Sequence, residues 1–279
     1  MPLRIVTDSS CDLPPALARS MNITVVPCNI HFGQTAYRDG VDMQAAEFYQ
    51  RLSGNIYPKT SQPSIESFLQ GYNSLDREAD EVLSVHVSSK LSTTVGAANL
   101  AKQQIIGGPH IEVADSLQVS LGLGILAMET ARLAKEKGKL KDALDFVERE
   151  KKNIVSYFSV DTLDYLVKGG RASKAQGFLG SLLSIKPILA IKDDGEVHPV
   201  ERVRNRKKLV ERFVELAASS GPVRGLGVLH SVALEDAQAL AEACTAHVSR
   251  EKIIVSQFSA VLGTHLGPRA LGLVLWTGS

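Results

Sequence analysis

Net charge is nearly absent from this 279-residue chain: 31 lysines and arginines stand against 30 aspartates and glutamates, leaving +1. That balance removes any overall electrostatic case for nucleic acid or an acidic membrane surface. Cysteine is scarce too. Cys11, Cys28 and Cys244 are far apart and form no C-x-x-C, so neither a disulfide framework nor a zinc knuckle is expected. No charged leader precedes an apolar stretch, and no apolar run is long enough to span a bilayer, so free thiols in the cytoplasm are expected. The seven histidines show no H-x-x-x-H or H-E-x-x-H spacing, which argues against a metal. There is no G-x-x-x-x-G-K-[ST] loop to cradle nucleotide phosphates and no G-x-S-x-G elbow, and no cofactor is expected. Gly122-Leu123-Gly124-Ile125-Leu126-Ala127 does satisfy G-x-G-x-x-A, but it starts too far beyond its strand for a dinucleotide turn, so helix packing explains it better.

What is present is an ordinary globular composition, 44% hydrophobic and 22% charged, in a chain longer than the usual single domain. β-Branched runs over residues 4–7, 23–26, 82–87 and 111–114 read as strands, and amphipathic stretches over 43–52, 65–75 and 119–137 as helices. That alternation predicts an α/β domain with a mostly parallel sheet flanked by helices over residues 1–153, interrupted by a small hairpin at 29–41. The charged helix 139–152 closes it. From 154 to 279 the expected elements are strands at 154–160, 187–192, 197–203, 224–229, 252–255 and 271–276, with helices at 161–167, 174–183, 207–218 and 234–247. A hairpin among crossovers predicts a second α/β domain with a mixed sheet backed by helices.

Ser88-Ser89-Lys90-Leu91-Ser92-Thr93-Thr94 joins the strand 82–87 to a following helix. A hydroxyl-rich strand-to-helix turn suits an anion, because free backbone N–H groups and the positive helix end point the same way as the side-chain donors. No carboxylate or histidine neighbours these hydroxyls in sequence, so the turn is better suited to holding an anion than to attacking one; the simpler alternative is that Ser92 only caps the helix. Thr60-Ser61-Gln62-Pro63-Ser64 is a second hydroxyl-rich stretch, read as a helix entrance at the same edge of the sheet. The two sets are expected to converge on one ligand through neutral donors. His265, in a loop bounded by Gly263 and Gly267, is a third candidate, although a lone loop histidine is more often structural. Lys168-Gly169-Gly170-Arg171 offers a guanidinium for a carboxylate or phosphate, or else a helix cap. The apolar stretch at 177–191, with small residues interleaved, has the texture of a tunnel wall or of plain core. Asp8 and Asp12 are read as structural.

Taken in order, Val6-Thr7-Asp8-Ser9-Ser10-Cys11-Asp12-Leu13, residues 60–64, Ser88-Ser89-Lys90-Leu91-Ser92, Ala114-Asp115-Ser116, Gly169-Gly170-Arg171 and His265-Leu266-Gly267-Pro268 resemble the DegV family. The resemblance implies a bacterial two-domain α/β protein that encloses one long-chain fatty acid such as palmitate. It implies further a non-catalytic subunit of a fatty acid kinase, presenting the carboxylate to a separate kinase for conversion to an acyl phosphate. Carried onto this chain, Thr60 and Ser92 are the carboxylate ligands, with Ser61 and His265 close by. Arg171, Arg204 and Arg206 are possible ligand or partner contacts, and the lipid exchange implies transient contact with a membrane. Thr93, Thr94 and Arg269 depart from the family's usual residues and bear on the acyl preference. The alternatives are a hydrolase or acyltransferase using Ser92 with His265 and, more remotely, a dinucleotide-dependent oxidoreductase.

Overall fold

Strand and helix alternate through the first half of the computed structural model, which describes residues 3–52, 57–75, 81–172, 174–175 and 185–278. In chain order the strands are β1 (Leu3–Asp8), β2 (Ile23–Val26), β3 (Asn29–Phe32), β4 (Thr35–Arg38), β5 (Lys59–Ser61), β6 (Glu81–His86) and β7 (His110–Asp115). The second half supplies β8 (Ile154–Ser159), β9 (Lys186–Ile191), β10 (Val197–Val203), β11 (Val223–His230), β12 (Ile253–Gln257) and β13 (Leu271–Thr277). The helices are α1 (Pro15–Ser20), α2 (Ala45–Arg51), α3 (Ile65–Asn73), α4 (Thr94–Lys102), α5 (Leu121–Lys137), α6 (Leu140–Glu150), α7 (Asp164–Lys168), α8 (Arg206–Ser219), α9 (Leu234–Cys244) and α10 (Ala260–Leu266). Among the described residues none is long and apolar enough to cross a membrane.

The first sheet, ordered β2-β1-β6-β7, is parallel throughout. Its central strand β6 is buried at every position but the first, as expected of a parallel strand covered on both faces. The second sheet, β10-β9-β8-β13-β11-β12, is mixed: β11 and β12 run parallel and every other pair is antiparallel. The expected hairpin is in fact two strands of a three-stranded antiparallel sheet, β4-β3-β5. Thr60 and Ser61 thus lie on a strand, paired with Ile30 and Asn29, and not at the parallel sheet's edge. The helix expected at 65–75 does begin at Ile65 and ends at Asn73, capped by Ser64, whose oxygen accepts the Ser67 N–H at 3.0 Å. The helix expected at 161–167 starts at Asp164, and all but two residues of the one expected at 174–183 lie outside the described residues.

Helix α5 sits between the two large sheets, in contact with β1, β8, β11 and β13. Its first half is therefore buried all round, and its apolar residues follow no single stripe. The two glycines of the G-x-G-x-x-A pattern serve this packing. A Cβ on Gly122 would stand 2.6 Å from Ser156 Oγ of β8, and one on Gly124 would stand 2.6 Å from the Cys11 carbonyl. At the far end Glu150 of α6 accepts hydrogen bonds from Trp276 Nε1 of β13 at 2.9 Å and from Arg224 Nη1 of β11 at 3.0 Å.

Asp12 ties three segments together. It takes a left-handed φ of 49°, which aspartate tolerates better than most residues, and is 6% exposed. Its Oδ2 accepts from Ser120 Oγ at 2.5 Å, its Oδ1 from the Ser259 N–H at 2.9 Å, and its carbonyl from Ser256 Oγ at 2.6 Å. Burial, working against these donors, pushes its pKa up to about 7. A carboxyl raised in the folded state adds stability below its unfolded pKa and loses that stability as pH rises through the folded value. Asp12→Asn removes this titration. Between about pH 5 and about pH 8 the urea midpoint of the variant is expected to gain on that of the wild type; a constant difference across that range contradicts the raised pKa.

Candidate ligand-binding site

A cavity of about 410 Å³ lies where the small sheet, the carboxyl ends of the parallel strands and the second sheet meet. Its size falls within the range of small-molecule pockets, roughly 300–1,000 Å³. Thr60, Ser61, Ser92, Arg171 and His265 all line it, so segments far apart in sequence do converge. Much of the remaining wall is apolar, with Val87, Leu91 and Val119 from the first half and Phe158, Leu262 and Val274 from the second.

His265 is not in a loop but in the last turn of α10. Gly263, which suggested the loop, belongs to the helix because a Cβ there would stand 2.6 Å from the Phe48 ring of α2. His265 Nε2 lies 2.8 Å from Thr60 Oγ1, while Nδ1 is buried with no partner among the described residues. Nδ1 faces Gly169, where any Cβ would collide with the ring. Burial, and then the Arg171 guanidinium, push the His265 pKa down to about 4, so the ring is neutral at pH 7. A buried N–H without an acceptor costs more than an unmet lone pair, which assigns the single ring proton to Nε2. His265 then donates to Thr60, and the Thr60 hydroxyl keeps its own proton for a ligand.

Ser92 is held in a comparable way. It does not cap α4; its Oγ lies 2.8 Å from Thr94 Oγ1, a buried hydroxyl in the first turn. When Thr94 donates, the Ser92 proton is free. Ser88, at the start of the same turn, has no such freedom, because its Oγ donates to the Gly195 carbonyl at 2.8 Å in the β9–β10 turn. Gly195 has a φ of +75° and no room for a Cβ beside Ser88. Ser61 Oγ is bonded to His31 Nε2 at 3.0 Å.

Arg171, expected as a possible ligand or partner contact beside two neutral donor sets, lines the cavity and makes the site charged. Its Nε donates to the Leu91 carbonyl at 3.1 Å and its Nη1 to the Gly169 carbonyl at 2.6 Å, so the guanidinium bridges the glycine turn and the Ser92 turn. Arg204 and Arg206 do not reach the cavity. Arg204 is exposed, and Arg206 is committed to Asp236 at 2.9 Å and to the Arg269 carbonyl at 2.8 Å. Sequence reading missed Thr94 as the partner of Ser92 and Gly169 as the seat of the imidazole. Neither carries a signal of its own, since a serine–threonine pair and a double glycine occur in any turn. Asp194, Glu196 and His198 are the one group among the described residues with potential metal-ligand atoms within 4.8 Å of one another. The Lys174 ammonium already meets both carboxylates, at 3.0 Å and 2.6 Å.

The DegV family model ("Uncharacterised protein, DegV family") matches residues 2–277. A DegV domain-containing protein of Halalkalibacterium halodurans is 36% identical over 277 residues, 97% of each chain. A structure described as fatty acid binding of a DegV family protein from Thermus thermophilus superposes with a TM-score of 0.88 at 34% identity, covering 100% of both chains. DegV of Bacillus subtilis, described as a fatty acid binding protein, gives a TM-score of 0.88 at 34% identity over 99% of this chain and 100% of its own.

The electrostatics of the site are open to a direct check. Ring NMR of His265 is expected to show the neutral form down to about pH 5, and Arg171→Gln is expected to raise the midpoint by removing the second depressing cause. A ring that titrates near the ordinary value of about 6.5 in the intact protein contradicts the assignment.

Proposed function

Because the chain belongs to the DegV family, we propose that it binds one long-chain fatty acid, with the carboxylate at Thr60, Ser92 and Arg171 and the tail along the apolar wall. The observation that carries this reading is the cavity itself, which has the Thr60 and Ser92 hydroxyls and a guanidinium against one part of its wall and apolar side chains over much of the rest. The fatty-acid-binding descriptions of the Thermus and Bacillus proteins support the same ligand class. His265 acts through Thr60, and Ser61 flanks the headgroup. At about 0.8 kcal/mol per buried methylene, a tail of roughly sixteen carbons contributes on the order of 12 kcal/mol gross, against about 1 kcal/mol for one neutral hydrogen bond. The tail supplies affinity and the headgroup contacts supply orientation.

In this reading the protein is a cytoplasmic carrier that presents the carboxylate to a separate kinase and has no catalysis of its own. The arrangement of Ser92 supports a carrier over a hydrolase. A serine nucleophile needs a base in hydrogen-bond reach, whereas the recorded partner of Ser92 is Thr94 and that of His265 is Thr60. An imidazole held at a pKa of about 4 is also a weak general base at neutral pH.

Palmitate binding by calorimetry tests the headgroup assignment. Thr60→Val and Ser92→Ala are each expected to weaken it by about 1–3 kcal/mol, roughly five- to 150-fold; unchanged affinity in both sinks the assignment. Incubated with ATP and palmitate alone, the protein is expected to give no acyl hydroxamate on trapping with hydroxylamine, and product formed without a partner overturns the carrier reading.

A further inference from the structure

The cavity wall carries a second polar feature that the headgroup does not use. Ser10, Ser120 and Ser156 are only 3%, 4% and 4% exposed, yet all three line the cavity. Each gives its hydroxyl proton to the protein interior. Ser10 Oγ donates to Asp8 Oδ1, Ser120 Oγ to Oδ2 of ionised Asp12 at 2.5 Å, and Ser156 Oγ to Gln118 Oε1 at 3.2 Å. Among the described residues no donor reaches any of the three oxygens in return. Cys28, on the same wall, likewise turns its thiol toward Asp8, 3.9 Å away.

These serines belong together. The Ser120 N–H donates to the Ser10 carbonyl at 2.8 Å, and Gly122, two residues on, sits directly against Ser156 Oγ. Ser120 holds its place with φ 57° and ψ −145°, a backbone region close to being reserved for glycine. A hydroxyl oxygen whose proton is committed elsewhere is an acceptor only. Three such oxygens beside a plain hydrocarbon chain have nothing to accept, whereas a hydroxyl on that chain would donate to them.

We propose that Ser10, Ser120 and Ser156 form a hydroxyl-accepting subsite, and that the preferred ligand is a long-chain fatty acid carrying a hydroxyl on its chain. The proposal rests on the fatty-acid reading above and concerns the chain, not the carboxylate. The test is competitive binding of octadecanoate against monohydroxy-octadecanoates substituted at mid-chain and at the terminal carbon. At least one isomer is expected to bind about fivefold more tightly than octadecanoate, the equivalent of about 1 kcal/mol for one neutral hydrogen bond. That ratio is expected to fall toward one in Ser156→Ala and in Ser120→Gly, the second of which removes the hydroxyl while relieving the backbone. If octadecanoate binds and no hydroxy acid binds better, the subsite is refuted and the fatty-acid reading stands. A preference that persists undiminished in both variants also refutes it, and failure of every acid to bind overturns both readings.

Discussion

The hydrogen bond between Thr60 and His265, residues 205 positions apart, is the contact on which the site depends. It joins the last strand of the small sheet to the helix before β13. Its direction matters as much as its length. A neutral imidazole with its proton on Nε2 turns Thr60 into a donor toward the cavity; the opposite tautomer would use up the threonine proton. Gly169 leaves room for the Nδ1 edge of the ring, and burial, with the Arg171 charge two residues later as a second cause, keeps the ring neutral.

The rest of the fold serves to place these polar groups at one part of a largely apolar cavity. Helix α5, buried between the two large sheets, packs against both, and Asp12 bonds the loop after β1 to Ser120, which precedes that helix, and to the approach to α10. The β9–β10 turn is held to the Ser92 turn through Ser88 and Gly195. Both halves of the chain thus line one cavity, and a ligand in it would bridge them. Affinity from a buried tail and orientation from a few polar groups is a division of labour that suits a carrier, since burial carries most of the free energy without demanding a reactive group.

Much of the fold could be read from residues alone, because alternating β-branched runs and amphipathic helices report on burial directly. β2 and β10 fall where the pattern puts them, and the parallel and mixed character of the two sheets follows from the same alternation. Strand β5 was not legible: three residues following Pro58 and preceding Pro63 contain no periodicity, and they become a strand only by pairing with β3. His265 was misplaced in a loop because its flanking glycines look like breakers. Gly263 instead answers to the ring of Phe48, a neighbour far away in sequence. The convergence of the two hydroxyl segments was foreseen, with Arg171 named only as a possible ligand or partner contact. That Arg171 would fold back onto the Leu91 carbonyl depends on tertiary contacts that no local motif encodes.

The most direct measurement of the central claim, a carboxylate held ionised by Thr60, Ser92 and Arg171, is the pH titration of palmitate labelled with carbon-13 at its carboxyl and bound to the protein. Hydrogen bonds to the charged form and a nearby guanidinium both lower a carboxyl pKa, so the bound resonance is expected to stay that of the anion below about pH 4. A bound carboxyl that titrates above about pH 5, as a group buried without donors would, contradicts the site.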